Sequence, residues 1–151
     1  MTDYKLLNSQ LHSLITGVPH KISNLANASA LIYQTLDNLN WAGFYIMQDG
    51  VLVLGPFQGR TACIEIPVGK GVCGSAVKED RTLVVDDVHK FPGHIACDSA
   101  SNSEIVIPIH GKDSVVGVLD IDSPIFERFT EQDKEGLEEF VRILETEIFA
   151  K

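Results

Sequence analysis

The apolar residues of this chain change period at Trp41, and that change constrains the fold more than any other feature. Ahead of it, residues 3–16 and 20–39 read as two helices separated by Gly17-Val18-Pro19. The second carries Ile22, Leu25, Ser29, Ile32, Leu36 and Leu39 at helical spacing. From Trp41 the period is two. Trp41 to Met47, a Gln48-Asp49-Gly50 turn and Val51 to Leu54 read as a hairpin. Further strands are expected over 61–67, 82–85, 104–110 and 114–122, with a short helix at 72–79. Helical spacing returns only at the end. There Thr130 is placed to cap a helix, Glu131 and Asp133 suit its positive end, and Leu137, Phe140, Val141, Leu144 and Ile148 form one stripe. Helices at both ends of a run of mostly antiparallel strands give an α+β fold. We expect a sheet of about six strands with helices on one face and loops left for the other.

A chain of 151 residues is expected to form a single domain over 1–151, large enough to bury a core without disulfides or metal. No segment approaches the ~18 apolar residues of a membrane span, so no membrane partner is expected. The Met1-Thr2-Asp3-Tyr4-Lys5 start lacks the basic-then-apolar layout of a secretory signal, which points to the cytoplasm. A net charge of −9 repels a phosphate backbone and argues against a nucleic-acid partner.

Chemistry concentrates in residues 86–103, a stretch rich in Asp, His, Pro, Gly and Ser that is longer than the ~12 to 15 residues usual for a loop. It holds Cys97, and Cys63 and Cys73 lie upstream, so three thiols can converge. In a reducing compartment they point to transient or catalytic disulfides rather than a structural framework. No Cys-x-x-Cys knuckle is present, and no metal site is expected. Asp120 and Asp122 fall on one side of their strand, either in a polar pocket or where the strand enters solvent. Trp41 and Tyr45 also share a face, as core or as a ligand's aromatic wall. His94 precedes Cys97 by three residues and either favours its thiolate or serves the surface. Gly69-Lys70-Gly71-Val72-Cys73-Gly74 matches G-x-G-x-x-G. Its short helix and antiparallel surroundings favour a tight turn that brings Cys73 near the loop over a dinucleotide site.

Together these pieces resemble the free methionine-(R)-sulfoxide reductases, single GAF-domain enzymes that reduce the oxidised free amino acid. The likeness spans nearly the whole chain. It is carried by Trp41-Ala42-Gly43-Phe44-Tyr45, Gly55-Pro56-Phe57-Gln58-Gly59, Ala62-Cys63, Gly69 to Gly74, Gly93-His94-Ile95-Ala96-Cys97-Asp98, Ser101-Asn102-Ser103-Glu104 and Gly117-Val118-Leu119-Asp120-Ile121-Asp122-Ser123. The resemblance implies a GAF-like fold, with Cys97 as nucleophile, Cys63 as the resolving thiol that forms a disulfide with it, and Cys73 as an auxiliary thiol. It also implies that Glu104, Asp120 and Asp122 surround the sulfoxide and amino groups, with Trp41 and Tyr45 against the apolar end. No bound cofactor is implied, only an external dithiol such as thioredoxin, and a homodimer formed through the helices.

The chemistry is coherent. A thiolate attacks a sulfoxide sulfur only if the oxygen is protonated as it leaves, so an acid must sit opposite, and Glu104 or Asp122 suits that role. Clustered carboxylates raise one another's pKa, which keeps one protonated near neutral pH. Two rivals stand beside this reading. GAF folds also serve as small-ligand sensors, and three thiols would equally suit a redox switch with a protein partner.

Overall fold

The computed structural model describes residues 1–95 and 97–150; Ala96, inside the cysteine loop, and Lys151 lie outside the described residues. Asp3 caps α1 (Tyr4–Ile15) by accepting from the Leu6 amide. Helix α2 (Lys21–Thr35) ends short of residue 39, where Asn38, in the left-handed region at φ 60°, turns the chain into the sheet. Its buried face is centred on Leu25, Ala28 and Ile32, which leaves Ile22 outside the stripe and exposed.

Strands β1 (Trp41–Gln48) and β2 (Val51–Gly59) form the expected hairpin, but β2 runs well past Leu54. Gly43 pairs with Phe57 and Tyr45 with Leu54, so Gly55 and Pro56 bulge opposite Phe44. A Gly-Pro pair reads as a strand end in sequence, yet a bulge accommodates it. Gly43 is required there, since a Cβ would stand 2.2 Å from that of Phe57. Conversely, β3 is only Glu65–Pro67. Residues 61–64, expected in the strand, lie outside it: the Ile64 carbonyl still accepts from the Leu54 amide, but ahead of it Cys63 packs on the face of the sheet, its carbonyl held by the Tyr45 hydroxyl at 2.9 Å.

With α3 (Gly71–Glu79), β4 (Leu83–Val85), β5 (Ser103–His110), β6 (Val115–Ser123) and α4 (Glu131–Leu144), the chain forms a mixed α+β structure. Its antiparallel six-stranded sheet has the order β3-β2-β1-β6-β5-β4. Thr130 caps α4 in a reciprocal capping box with Asp133. The long helices α1, α2 and α4 cover one face, where Phe44, Ile107, Leu119 and Ile121 meet Leu11, Ile32, Leu137 and Phe140. Beyond Leu144 the backbone widens to a π-turn at Glu145–Phe149, and Ile148 still packs on this core. The second face is not left to loops alone: α3 seats Val72, Cys73 and Ala76 against Tyr45, Ile66, Val106 and Val118. Among the described residues no helix is long and apolar enough to cross a membrane.

Candidate active site

Strand register assembles the site. Trp41 lies opposite Asp122 and Gly43 opposite Asp120 across β1 and β6; Glu104 lies opposite Asp122 across β5 and β6. Directly paired residues point to the same face, and residues two apart along a strand share it. Trp41, Tyr45, Glu104, Asp120 and Asp122 therefore converge on the face beneath α3. The open alternatives for these residues close here. The acids do not enter solvent, being 6–8% exposed, and the aromatic pair is both core and pocket wall. Trp41 stacks between Tyr45 and Phe57, with ring centroids 5.8 and 5.0 Å away, and its indole N–H donates to the Arg60 carbonyl.

The thiols meet over this face. Cys63 and Cys97 are joined in a disulfide, their Cα atoms 5.5 Å apart, while Cys73 is a free, buried thiol on α3. The Gly69–Gly74 segment makes the turn that delivers it: Gly69 and Gly71 adopt φ of 86° and 64°, and the Gly69 amide bonds the Gly74 carbonyl. A Cβ on Gly74 would meet the Pro67 carbonyl oxygen at 2.3 Å. Beneath the disulfide is a cavity of about 50 Å³, lined by Trp41, Tyr45, Cys73, Cys97, Glu104, Asp120 and Asp122, with His94 at its side.

Among the described residues, no lysine or arginine lines that cavity beside the acids. Burial pushes Glu104 well above the usual carboxylate range, and the charges of Asp120 and Asp122 push it further. Asp122 is likewise raised, by burial and then by Asp120. Burial raises Asp120 against the opposing hydrogen bonds of Glu104 and Cys73. Burial, then the neighbouring carboxylates, raises the Cys73 thiol well above its ordinary value, so it is held as S–H. His94 is lowered by burial and then by His89, so it carries no cation with which to favour a thiolate at neutral pH. One Asp120 oxygen, Oδ1, is buried without a hydrogen-bond partner. The ligand atoms of Cys73, Glu104 and Asp120 lie within 4.8 Å of one another, but a thiol held as S–H beside raised carboxyls does not offer the anionic ligands a metal ion takes.

One set of residues escaped the sequence reading. The Asn40 side-chain amide donates to Asp98 Oδ2 and to Ser101 Oγ, each at 3.0 Å, tying the cysteine loop to the start of β1. Arg60 Nη1 stands 4.0 Å from the same aspartate. Partners separated by 58 and 61 positions leave no local signal.

The GAF domain family matches residues 10–148. A free methionine-R-sulfoxide reductase of Escherichia coli (strain K12) is 54% identical over 142 residues, which cover 94% of this chain and 86% of the relative. A solved structure of fRMsr from Staphylococcus aureus in complex with substrate superposes with a TM-score of 0.94 at 55% identity, covering 98% of this chain and 97% of that one. A free methionine-R-sulfoxide reductase from Neisseria meningitidis, also in complex with its substrate, gives a TM-score of 0.92 at 41% identity, covering 95% and 87%.

Proposed function

This chain belongs to the GAF-domain family and, within it, to the free methionine-R-sulfoxide reductases, and we propose on that premise that it reduces free L-methionine-(R)-S-oxide to L-methionine with its own thiols. The observation that carries the reading is the Cys63–Cys97 disulfide lying over a buried carboxyl cluster. It is the bond that such a turnover would leave behind.

In this scheme the reduced Cys97 thiolate attacks the sulfoxide sulfur while a protonated carboxyl of the Glu104, Asp120 and Asp122 cluster gives its proton to the oxygen. The raised pKa values of Glu104 and Asp122 fit that donor role. The attack joins the Cys97 sulfur to the substrate sulfur as the S–O bond breaks and the twice-protonated oxygen leaves as water; a water then attacks the Cys97 sulfur, that S–S bond breaks, methionine leaves with the bonding pair, and Cys97 is left as a sulfenic acid. The Cys63 thiol then attacks the Cys97 sulfur, the S–S bond forms, and the oxygen departs as water. Two thiols thus supply the two electrons. An external dithiol, thioredoxin in a cytoplasmic setting, returns them by thiol–disulfide exchange, with no bound metal or flavin. Cys73, held as a buried thiol beside Asp120, serves as an auxiliary group.

Substrate choice follows from charge and size. An ammonium group answers the anionic cluster and its unpartnered Asp120 oxygen, and Trp41 and Tyr45 flank the apolar end. A cavity of about 50 Å³ has room for only a few waters, so the oxidised form must open on reduction before an amino acid enters. A methionine sulfoxide embedded in a protein would not be accommodated. A second copy of the chain is assigned to the α1 and α2 side, where Leu6, Leu14 and Ile22 are exposed.

The test is chiral amino-acid analysis after incubating reduced protein with racemic free methionine sulfoxide and dithiothreitol, beside Cys97→Ser. Loss of the R epimer alone, and only with Cys97 present, is the expected result. Consumption of neither epimer by fully reduced protein overturns the reading. Unchanged turnover in Glu104→Ala and Asp122→Ala would remove the carboxyl cluster from the mechanism.

A further inference from the structure

The segment that carries Cys97 has few anchors of its own. Between the 3-10 turn at Val88–Lys90 and the start of β5, the described residues bond their backbone to the sheet at the C-terminal end alone, where Asn102 N–H donates to Ser123 O, while Val88 N–H closes the segment on itself by donating to Asn102 O. The link nearest the cysteine comes from a side chain. Asn40 is itself rigid, because its backbone N–H donates to the Asp122 carbonyl at 3.0 Å at the end of the β1–β6 ladder. From there its Nδ2 reaches Asp98, the residue after Cys97, and Ser101 beyond it. Asp98 in turn accepts from the Ala100 amide with Oδ1, and its carbonyl accepts from the Ser101 amide. The orientation of the amide is forced: an acceptor facing the Asp98 carboxylate would be repelled, so Nδ2 must face it, and Oδ1 is left buried without a partner. The same Asp98 faces Arg60, on the segment that leads to Cys63, but that guanidinium is largely exposed at 75%. An ion pair of that length and exposure contributes little.

We propose that Asn40 is a positioning residue for the thiol pair: by holding Asp98 and Ser101 it keeps Cys97 at the approach from which Cys63 closes the disulfide. The inference rests on the reductase reading, in which the Cys63 thiol attacks the Cys97 sulfenic acid, forms the S–S bond and releases water. Closure of that bond is an intramolecular step, and its rate and equilibrium follow the effective concentration of one thiol at the other. Without the Asn40 amide, Asp98 loses its link to the sheet, Cys97 samples more positions, and that concentration falls. Asn40 touches neither sulfur, so its action runs through Asp98 and Ser101.

The decisive measurement is the Cys63–Cys97 dithiol–disulfide equilibrium of the whole protein in glutathione buffers, read by mass after thiol alkylation. It needs no turnover, so its outcome stands whether or not methionine sulfoxide is reduced. Asn40→Ala is expected to lower the effective concentration about tenfold, which is about 30 mV in the potential of the pair. Arg60→Ala removes only the long, exposed ion pair to Asp98 and leaves both of its hydrogen-bonded oxygens in place, so it is expected to stay within about twofold of the unsubstituted protein. Urea midpoints of the variants report general destabilisation separately. In turnover, dimedone trapping of the Cys97 sulfenic acid should increase in Asn40→Ala while KM is unchanged, a signature that mere loss of stability does not produce. An unchanged equilibrium in Asn40→Ala overturns the proposal. So does an equal loss in Arg60→Ala, which would assign the effect to the ion pair of Asp98 rather than to the Asn40 amide.

Discussion

Replacing Glu104 by Gln should flatten the pH dependence of stability, and the size of the change follows from burial. Glu104 is 6% exposed, and its raised pKa comes from burial and then from Asp120 and Asp122. In the unfolded chain a glutamate titrates near 4.3, so above about pH 5 the unfolded state holds no proton on it. The folded state still does. Stability then falls as pH rises, by about 1.4 kcal/mol per pH unit for each proton retained only in the fold. Between pH 5 and 7 one retained proton removes about 2.7 kcal/mol. Below the unfolded pKa both states are protonated and the loss vanishes. Above the folded pKa both are ionised, and the full penalty persists as a constant. The assay is urea unfolding of the oxidised protein at pH 5, 6 and 7, comparing Glu104 with Glu104→Gln. The variant carries no proton to lose at this position, and its slope should be shallower by about one proton. Equal slopes would mean that Glu104 is ionised in the fold, and the proton donor would have to be sought elsewhere.

Further outcomes can be checked independently. The disulfide closes a sequence separation of 34, worth up to about 4 kcal/mol in chain entropy, so the oxidised form should melt about 10 °C above the reduced form in a thermal scan. A Gly74→Ala side chain would meet the Pro67 carbonyl, and the overpacking should cost about 1–3 kcal/mol by urea denaturation while disturbing the turn that seats Cys73. At the far edge of the sheet His110 is raised by hydrogen bonds with Asp80 and Glu145, which outweigh burial. Its stabilisation is present below the unfolded pKa near 6.5 and lost as pH rises through the higher folded value. His110→Gln should therefore remove a fall in melting temperature across that window.

Local pattern carried much of this protein. The change of period at Trp41, the Thr130 cap and the stripe through Leu137 and Phe140 each depend on neighbours within a few positions, where backbone sterics and burial act directly. Alternation along β6 likewise placed Asp120 and Asp122 on one side, and the cysteine-bearing segments identified the family likeness. The errors fell where a distant contact overruled a local signal. Gly55-Pro56 looked like a strand end but is a bulge set by pairing with β1, and 61–64 looked like a strand but is drawn away as Cys63 bonds Cys97.

What the sequence by itself determined is the set of elements and the residue types available for chemistry: helices flanking antiparallel strands, three thiols, and acids two apart and aromatics four apart along their strands. Tertiary structure alone decided that the acids are buried together, that Asn40 grips the loop of Cys97, and that α3 closes the second face. The physical reason is that desolvation and charge coupling arise from atoms brought together by strand register and chain crossing. Glu104 becomes a buried acid because β5 pairs with β6 in a register that sets it opposite Asp122.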